Sequence, residues 1–309
     1  MTVLLRDWPQ IEQMFLLGPI HSDGAFPIGP SDRSVLTGYA DHVAYRIWQE
    51  RPVLKVASHK SKLKNFPERP MPERVRRIVQ DFHLMEFVGC SLTMLNASLL
   101  STFVEKCHPE TSSFHLPFRE MTVTLDDVDA LFHLLIVGAF FTPVHRDQAM
   151  AVHMVMDAFE IDEVEVLREF SETRGFHLRM SWLMRTYQEL VDAGRYQAAV
   201  RAYMLQLLTC TLFADKSGVY IDVRYLSLFS ALDTPCWAWG VAALSMLYTA
   251  LDIASRPDTR HLAGYLSLLQ CWIYEHFPHI YERKIQRVAA VVPLCEEMEG
   301  QTGHSRRVD

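Results

Sequence analysis

Residues 111–128, TSSFHLPFREMTVTLDDV, constrain the fold of this chain more than any other stretch. Two short β-prone runs, 114–118 and 121–125, flank the polar pair Arg119-Glu120, a separation that predicts a tight hairpin turning at that pair. Phe114, Leu116 and Phe118 on one run, with Met121, Val123 and Leu125 on the other, recur at every second position, so each strand has an apolar face to seat on a core. Thr124 then predicts a helix start. Its hydroxyl can accept a hydrogen bond from the free N–H of Asp127, while Asp126, Asp127 and Asp129 place negative charge at the positive end of the helix dipole. The stretch reads as scaffold and contains no evident reactive centre.

Such a hairpin needs a body to lie on, and the rest of the chain supplies helices. The longest uncharged run, 235–251, falls short of the roughly 20 apolar residues that span a bilayer and contains Gly240, Ser245 and Thr249. It predicts a buried helix packed nearly all round, with Val241, Leu244, Leu247, Tyr248 and Leu251 on one face and Ala242, Ala243 and Ala250 allowing close approach on others. Residues 262–274 repeat the logic through Leu266, Leu269 and Ile273. Pro257, Asp258 and Arg260 break the two apart into a helical hairpin.

In 196–213, Val200, Tyr203, Met204, Leu207 and Leu208 fall at i, i+3, i+4, i+7 and i+8, another core helix. A turn at 215–218 leads into a short strand at 219–223. Further helices are predicted over 40–50, 88–105, 126–137, 148–159 and 163–170. The fold class is mainly α: a multi-helix globular domain with one or two small β-hairpins or short strands. Texture divides the chain into an N-terminal extension at 1–71 with loops and a short helix, a main domain at 72–298 and a flexible C-terminal tail at 299–309.

With 309 residues, 49% hydrophobic and 22% charged, the composition is that of a soluble globular protein with ample core. A formal charge of −7 argues against a chain that coats nucleic acid along its whole surface, and leaves room for a local basic patch. The cysteines at 90, 107, 210, 236, 271 and 295 show neither a disulfide framework nor a CxxC zinc spacing, which points to a reducing compartment. Arg6, Asp7 and Glu12 interrupt any signal-peptide core at the start.

Beyond its physics, the segment FHLPFREMTVTL at 114–125 closely resembles the signature of the plant mobile domain, found in plant nuclear proteins of the Maintenance-of-Meristems type and in certain transposons. Arg119, where the family carries glycine, is its departure from that pattern. Two more blocks match in order: Leu212-Phe213-Ala214-Asp215-Lys216-Ser217-Gly218, running on to Leu232-Asp233, and Trp239-Gly240 through Ser255-Arg256-Pro257-Asp258 to Trp272 and Phe277-Pro278. The resemblance implies a non-catalytic nuclear protein-interaction domain. In that family the implied roles are transposable-element silencing, control of gene expression, genome integrity and meristem maintenance, through a complex with a PP7-type serine/threonine phosphatase-like protein.

Several residues invite chemistry, and each has a plainer reading. Asp215-Lys216-Ser217-Gly218 lacks the glycine-rich lead of a phosphate loop and reads as a turn. Ser61 and Lys64 have Ser-x-x-Lys spacing inside a charged, proline-flanked loop without partner motifs. Cys107 and His108 are the types of a thiol–base pair, yet chain neighbours point apart. His133, His145 and His153 do not form a compact zinc motif. Glu160, Asp162, Glu163 and Glu165 suit a solvated helix start better than a Mg²⁺ site. Trp237, Trp239, Trp272 and Tyr274 sit in apolar sequence and read as core rather than base-stacking platforms.

A pyridoxal phosphate enzyme would need a buried Schiff-base lysine, and Lys106 and Lys216, at predicted element ends, are rejected for it. The expectation is therefore no catalytic, cofactor or metal residues. The alternative function is a transposon-derived nucleic-acid-associated domain that contacts phosphates through Lys55, Lys60, Lys62, Lys64, Arg74, Arg76 and Arg77.

Overall fold

The computed structural model describes residues 34–46, 54–57, 71–89, 95–116, 119–142, 147–173, 175–216, 219–233, 236–278 and 280. After a 3-10 turn at Tyr39–Asp41, the elements in chain order begin with α1 (Val43–Arg46), β1 (Lys55–Val56), α2 (Glu73–Asp81), α3 (Met85–Gly89) and α4 (Ala97–Val104). Next come β2 (Cys107–His108), β3 (Ser113–Leu116), β4 (Arg119–Met121), α5 (Leu125–Phe132), α6 (Gln148–Phe159), α7 (Glu163–Ser171), β5 (His177–Arg179), α8 (Met180–Asp192) and α9 (Tyr196–Cys210). The chain then forms β6 (Tyr220–Asp222), a 3-10 stretch at Val223–Phe229, α10 (Trp239–Ser255), β7 (His261–Leu262) and α11 (Leu266–His276). The architecture is mainly α, as expected.

Two helices organise the core. From Ala198 to Cys210, every residue of α9 except Arg201 is buried, and α2, α3, α6 and α8 pack around it. In α11 every residue from Leu266 to Tyr274 is buried, with α4, α5 and α10 against it. Helices apolar on all sides are driven inside because each buried Leu or Met-sized side chain contributes about 1.5–3 kcal/mol. One continuous cluster of buried apolar residues joins both groups.

It is α11, not α10, that is packed all round. In α10 the buried residues are Trp239, Gly240, Ala243, Leu247, Leu251, Ala254 and Ser255, while Ser245, Thr249 and Ile253 face outward. The small residues Ser245 and Thr249 mark that outer face. The predicted helix at 88–105 is two helices, because the Asn96 side chain accepts from Leu99 N–H at 3.0 Å and caps a fresh start at α4, while Asn96 N–H donates to Gln270 Oε1 at 2.6 Å. The helix predicted to reach 137 ends at Phe132, where His133 takes a left-handed conformation at φ 51°.

The hairpin forms, with its turn displaced. β3 and β4 pair Phe114 with Met121, His115 with Glu120 and Leu116 with Arg119, so the connection falls at 117–118, outside the described residues. Arg119 and Glu120 are strand residues. Glu120 is drawn into the ladder by side-chain hydrogen bonds on β3, since its carboxylate accepts from the Ser113 hydroxyl. β2 adds a third strand, pairing Cys107 with Phe114 and His108 with Ser113.

Residues ahead of 72 share this core. Val43 and Leu54 belong to the main buried cluster, Leu54 N–H donates to Ser101 Oγ at 3.1 Å, and β1 lies parallel to β7 with Lys55 opposite His261. Among the described residues, no helix is long and apolar enough to cross a membrane.

Candidate functional site

The hairpin is sewn to the helices at its exit. Tyr248 on α10 accepts from Val123 N–H at 2.9 Å, contacts the Thr122 hydroxyl, and donates to Val123 O at 3.3 Å. Thr124 and Asp127 form a reciprocal capping box at the start of α5, and Asp127 Oδ1 lies 3.1 Å from His276 Nε2 on α11. The Asp127 carboxyl loses some acidity to burial, but the hydrogen bonds from Thr124 and His276 prevail and hold its pKa below the usual value. Phe114 stacks on Trp272 at 5.2 Å. The signature is thus a structural joint.

Strand alternation gives the three-stranded sheet two different faces. Cys107, Phe114 and Leu116 point into the core, and burial drives the Cys107 thiol up to about 12, which removes it as a nucleophile. His108, Ser113, His115 and Glu120 share the other face. That face is covered by residues 36–44. Gly38 N–H donates to Glu110 Oε1 at 2.7 Å, and the His42 ring stacks on His108 at 4.5 Å, with His115 edge-on to His108 at 4.6 Å.

His42 accepts from Ala44 N–H at Nδ1 (3.0 Å) and donates from Nε2 to Cys107 O (2.7 Å), which fixes it as the neutral Nε2–H form. Among the described residues, buried His108 finds no hydrogen-bond partner for either nitrogen. Stacked rings aim their in-plane lone pairs past one another rather than at a common point, so three imidazoles here do not make a metal centre, and among the described residues no group of three or more His, Cys, Asp or Glu could hold one. This trio was not legible in the sequence, because His42 arrives from 65 residues before Cys107.

Lys106 is buried rather than at an open element end, and burial lowers its pKa. Its charge lies close enough to depress His108. Lys216 is exposed.

The remaining candidates fall into structural roles. His133 is the exposed cap of α5, His153 lies exposed on α6, and His145 is outside the described residues. Glu160 ends α6 and pairs with Arg195; Asp162 caps α7 by accepting from Glu165 N–H, and Glu165 reaches Arg185. Glu163 sits in the first turn of α7. Trp239 is buried with its indole N–H on Phe82 O, Trp237 donates to Leu228 O, and Tyr274 is core.

Lys55 is exposed on β1 beside exposed Arg260 and His261. Arg74 lies over the Tyr196 ring, Arg77 pairs with Glu73, and Arg76 is exposed on α2. Ser61, Lys60, Lys62 and Lys64 lie outside the described residues.

One surface was missed. After α5 the chain runs through eight apolar residues, Leu134 to Phe141, with no polar face to orient a helix. Leu134 is buried, whereas Val137 and Phe140 are each 72% exposed, with exposed Gly138 and Ala139 between them. This ledge is held firmly. Ala139 N–H donates to Cys236 O at 2.6 Å, Ala238 N–H to Ala139 O at 3.0 Å and Gly240 N–H to Leu135 O at 2.8 Å. Gly138, at φ 136°, sits where a Cβ would meet Cys236 O at 2.3 Å, so only glycine allows this approach. Phe141 anchors the underside against Tyr225 and Trp237.

Sequence comparison places these features among known proteins. The plant mobile domain family model matches residues 83–302. Over 255 residues the chain is 34% identical to Protein MAIN-LIKE 1 of Arabidopsis thaliana, covering 81% of this chain and 49% of that protein. It is 32% identical over 187 residues to Protein MAINTENANCE OF MERISTEMS of the same plant, covering 59% of this chain and 38% of that protein. A serine/threonine-protein phosphatase 7 long form homolog, also from Arabidopsis thaliana, is 29% identical over 251 residues, covering 80% of this chain and 18% of that protein. The chain spans half or less of the length of these relatives. No solved structure matches it.

Proposed function

The chain belongs to the plant mobile domain family, and from that premise we propose that it is a non-catalytic nuclear protein-interaction domain that docks a PP7-type phosphatase-like protein. Its biological output, on this reading, is transposable-element silencing, control of gene expression, genome integrity and meristem maintenance. The observation that carries the docking reading is that the same domain occurs in a phosphatase 7 long form homolog, so the two kinds of protein are built around shared sequence. The ledge at 137–140 supports it. An exposed apolar segment on a fixed backbone loses little entropy on docking, and an exposed aromatic such as Phe140, once covered by a partner, is the type of residue that dominates interfaces.

Affinity purification from plant nuclei, followed by identification of bound proteins, tests this. The expected result is stable recovery of a phosphatase-like protein with the wild-type chain and its loss with Phe140→Asp. Recovery of no stable partner by the wild type would sink the docking reading.

A nucleic-acid-associated role is favoured by one specific observation: Lys55 on β1 and His261 on β7 lie exposed side by side, with exposed Arg260 just before β7. It predicts DNA binding that weakens steeply with salt and is lost when Lys55, Lys60, Lys62, Lys64, Arg74, Arg76 and Arg77 are neutralised.

A further inference from the structure

The segment covering the polar face of the hairpin lies before the family match, which begins at residue 83. Leu36, Tyr39 and Ala44 form a small buried cluster of their own, separate from the main core. Val43 plants one end of this strap in the main core, and the rest is fastened by contact with the hairpin: Gly38 to Glu110, His42 to Cys107 O, and the rings of Tyr39 and His42 against His108. We propose that the strap at 36–44 is a proton-sensitive latch, closed while buried His108 is neutral between the His42 and His115 rings and released when a proton enters it.

The geometry disfavours a proton on His42 and on His108. A proton added at His42 Nδ1 would face the Ala44 N–H that now points at it. His108 sits at 4.5 Å and 4.6 Å from the two other imidazoles, with no acceptor among the described residues for an imidazolium N–H. The charged groups on every side fit this account. Burial comes first, with the neighbouring His42 and His115 rings and the positive charge of Lys106, just before β2, after it, in holding the His108 imidazole down at about 3. Glu120 is occupied by Ser113 and by His115, whose Nε2 is 3.2 Å away, and Glu110 by Gly38. Asp252 of α10 acts on the Cys107 thiol. None of these carboxylates hydrogen-bonds to His108.

The sign follows from proton counting. Between about 3 and the ordinary value of 6.5, the closed form binds fewer protons at His108 than the open form does. The latch is therefore fully closed above about 6.5, and closure weakens as pH falls through that window. For His108 alone, with an ordinary value when exposed, the opening equilibrium rises on the order of 30-fold between pH 7.5 and 5.0.

Hydrogen exchange at those two pH values, corrected for intrinsic rates, reads this directly. The expected outcome is a rise of that size in the opening of 36–44, while α9 keeps its protection. Unchanged protection of 36–44 overturns the latch, and so does simultaneous loss in α9, which would mean global unfolding. His108→Phe keeps a ring in the stack and removes the titration, so its 36–44 exchange should be pH-independent; retention of the full wild-type dependence removes His108 as the sensor. Should that variant not fold, the contrast between 36–44 and α9 in the wild type decides the matter.

Discussion

At the scale of single residues, one hydroxyl ties the hairpin to the helical body. Tyr248 OH is the acceptor for the N–H of Val123, a buried residue, at 2.9 Å. Tyr248→Phe keeps the ring and its packing but leaves that amide without its acceptor. A buried unsatisfied donor costs about 1–3 kcal/mol, so the urea midpoint should fall correspondingly with little change in the slope of the transition. An unchanged midpoint would show that the joint is held by apolar contact alone. Single-residue chemistry was partly legible beforehand. Adjacent Cys107 and His108 had to point apart because β-strands alternate, and they do. The His42–His108 stack was illegible, because its partners are brought together only when residues far apart in sequence pack.

Elements were easier to foresee than their registers and ends. Alternation in 114–125 gave the existence of the hairpin and its apolar face, but alternation is unchanged by a slip of two residues, which is the displacement observed at Arg119-Glu120. Thr124 was legible because capping is local: Thr124→Ala removes the acceptor for Asp127 N–H and should cost about 1 kcal/mol by chemical denaturation. Gly240 is the opposite kind of position. In an isolated helix, Gly→Ala gains up to about 1 kcal/mol from propensity. Here the added methyl would come within 2.9 Å of Ile136 Cγ2 and 3.2 Å of the Leu134 and Leu135 carbonyl oxygens. Backbone oxygens cannot move aside as a side chain does, and overpacking costs about 1–3 kcal/mol. Gly240→Ala should therefore lower the melting temperature, and a rise would show that the ledge yields easily.

For the whole molecule, the contributions from ahead of the family match decide what can fold. Val43, Leu54, Val75 and Val79 are all buried in the main cluster, and none lies within residues 83–302. At about 1.5–3 kcal/mol for each buried side chain, those four contribute roughly 6–12 kcal/mol. That is comparable to the whole stability of an ordinary domain, about 5–15 kcal/mol. The sequence hid this, because 34–57 has little periodicity, and the described residues 54–57 hold their place through long-range contacts such as Leu54 to Ser101 and β1 to β7. Residues 83–280 produced alone should accordingly show helical circular dichroism without a cooperative thermal transition. Residues 34–280 should melt sharply. Equal, sharp transitions for both would mean that the matched segment is self-sufficient and that the N-terminal residues only cover it.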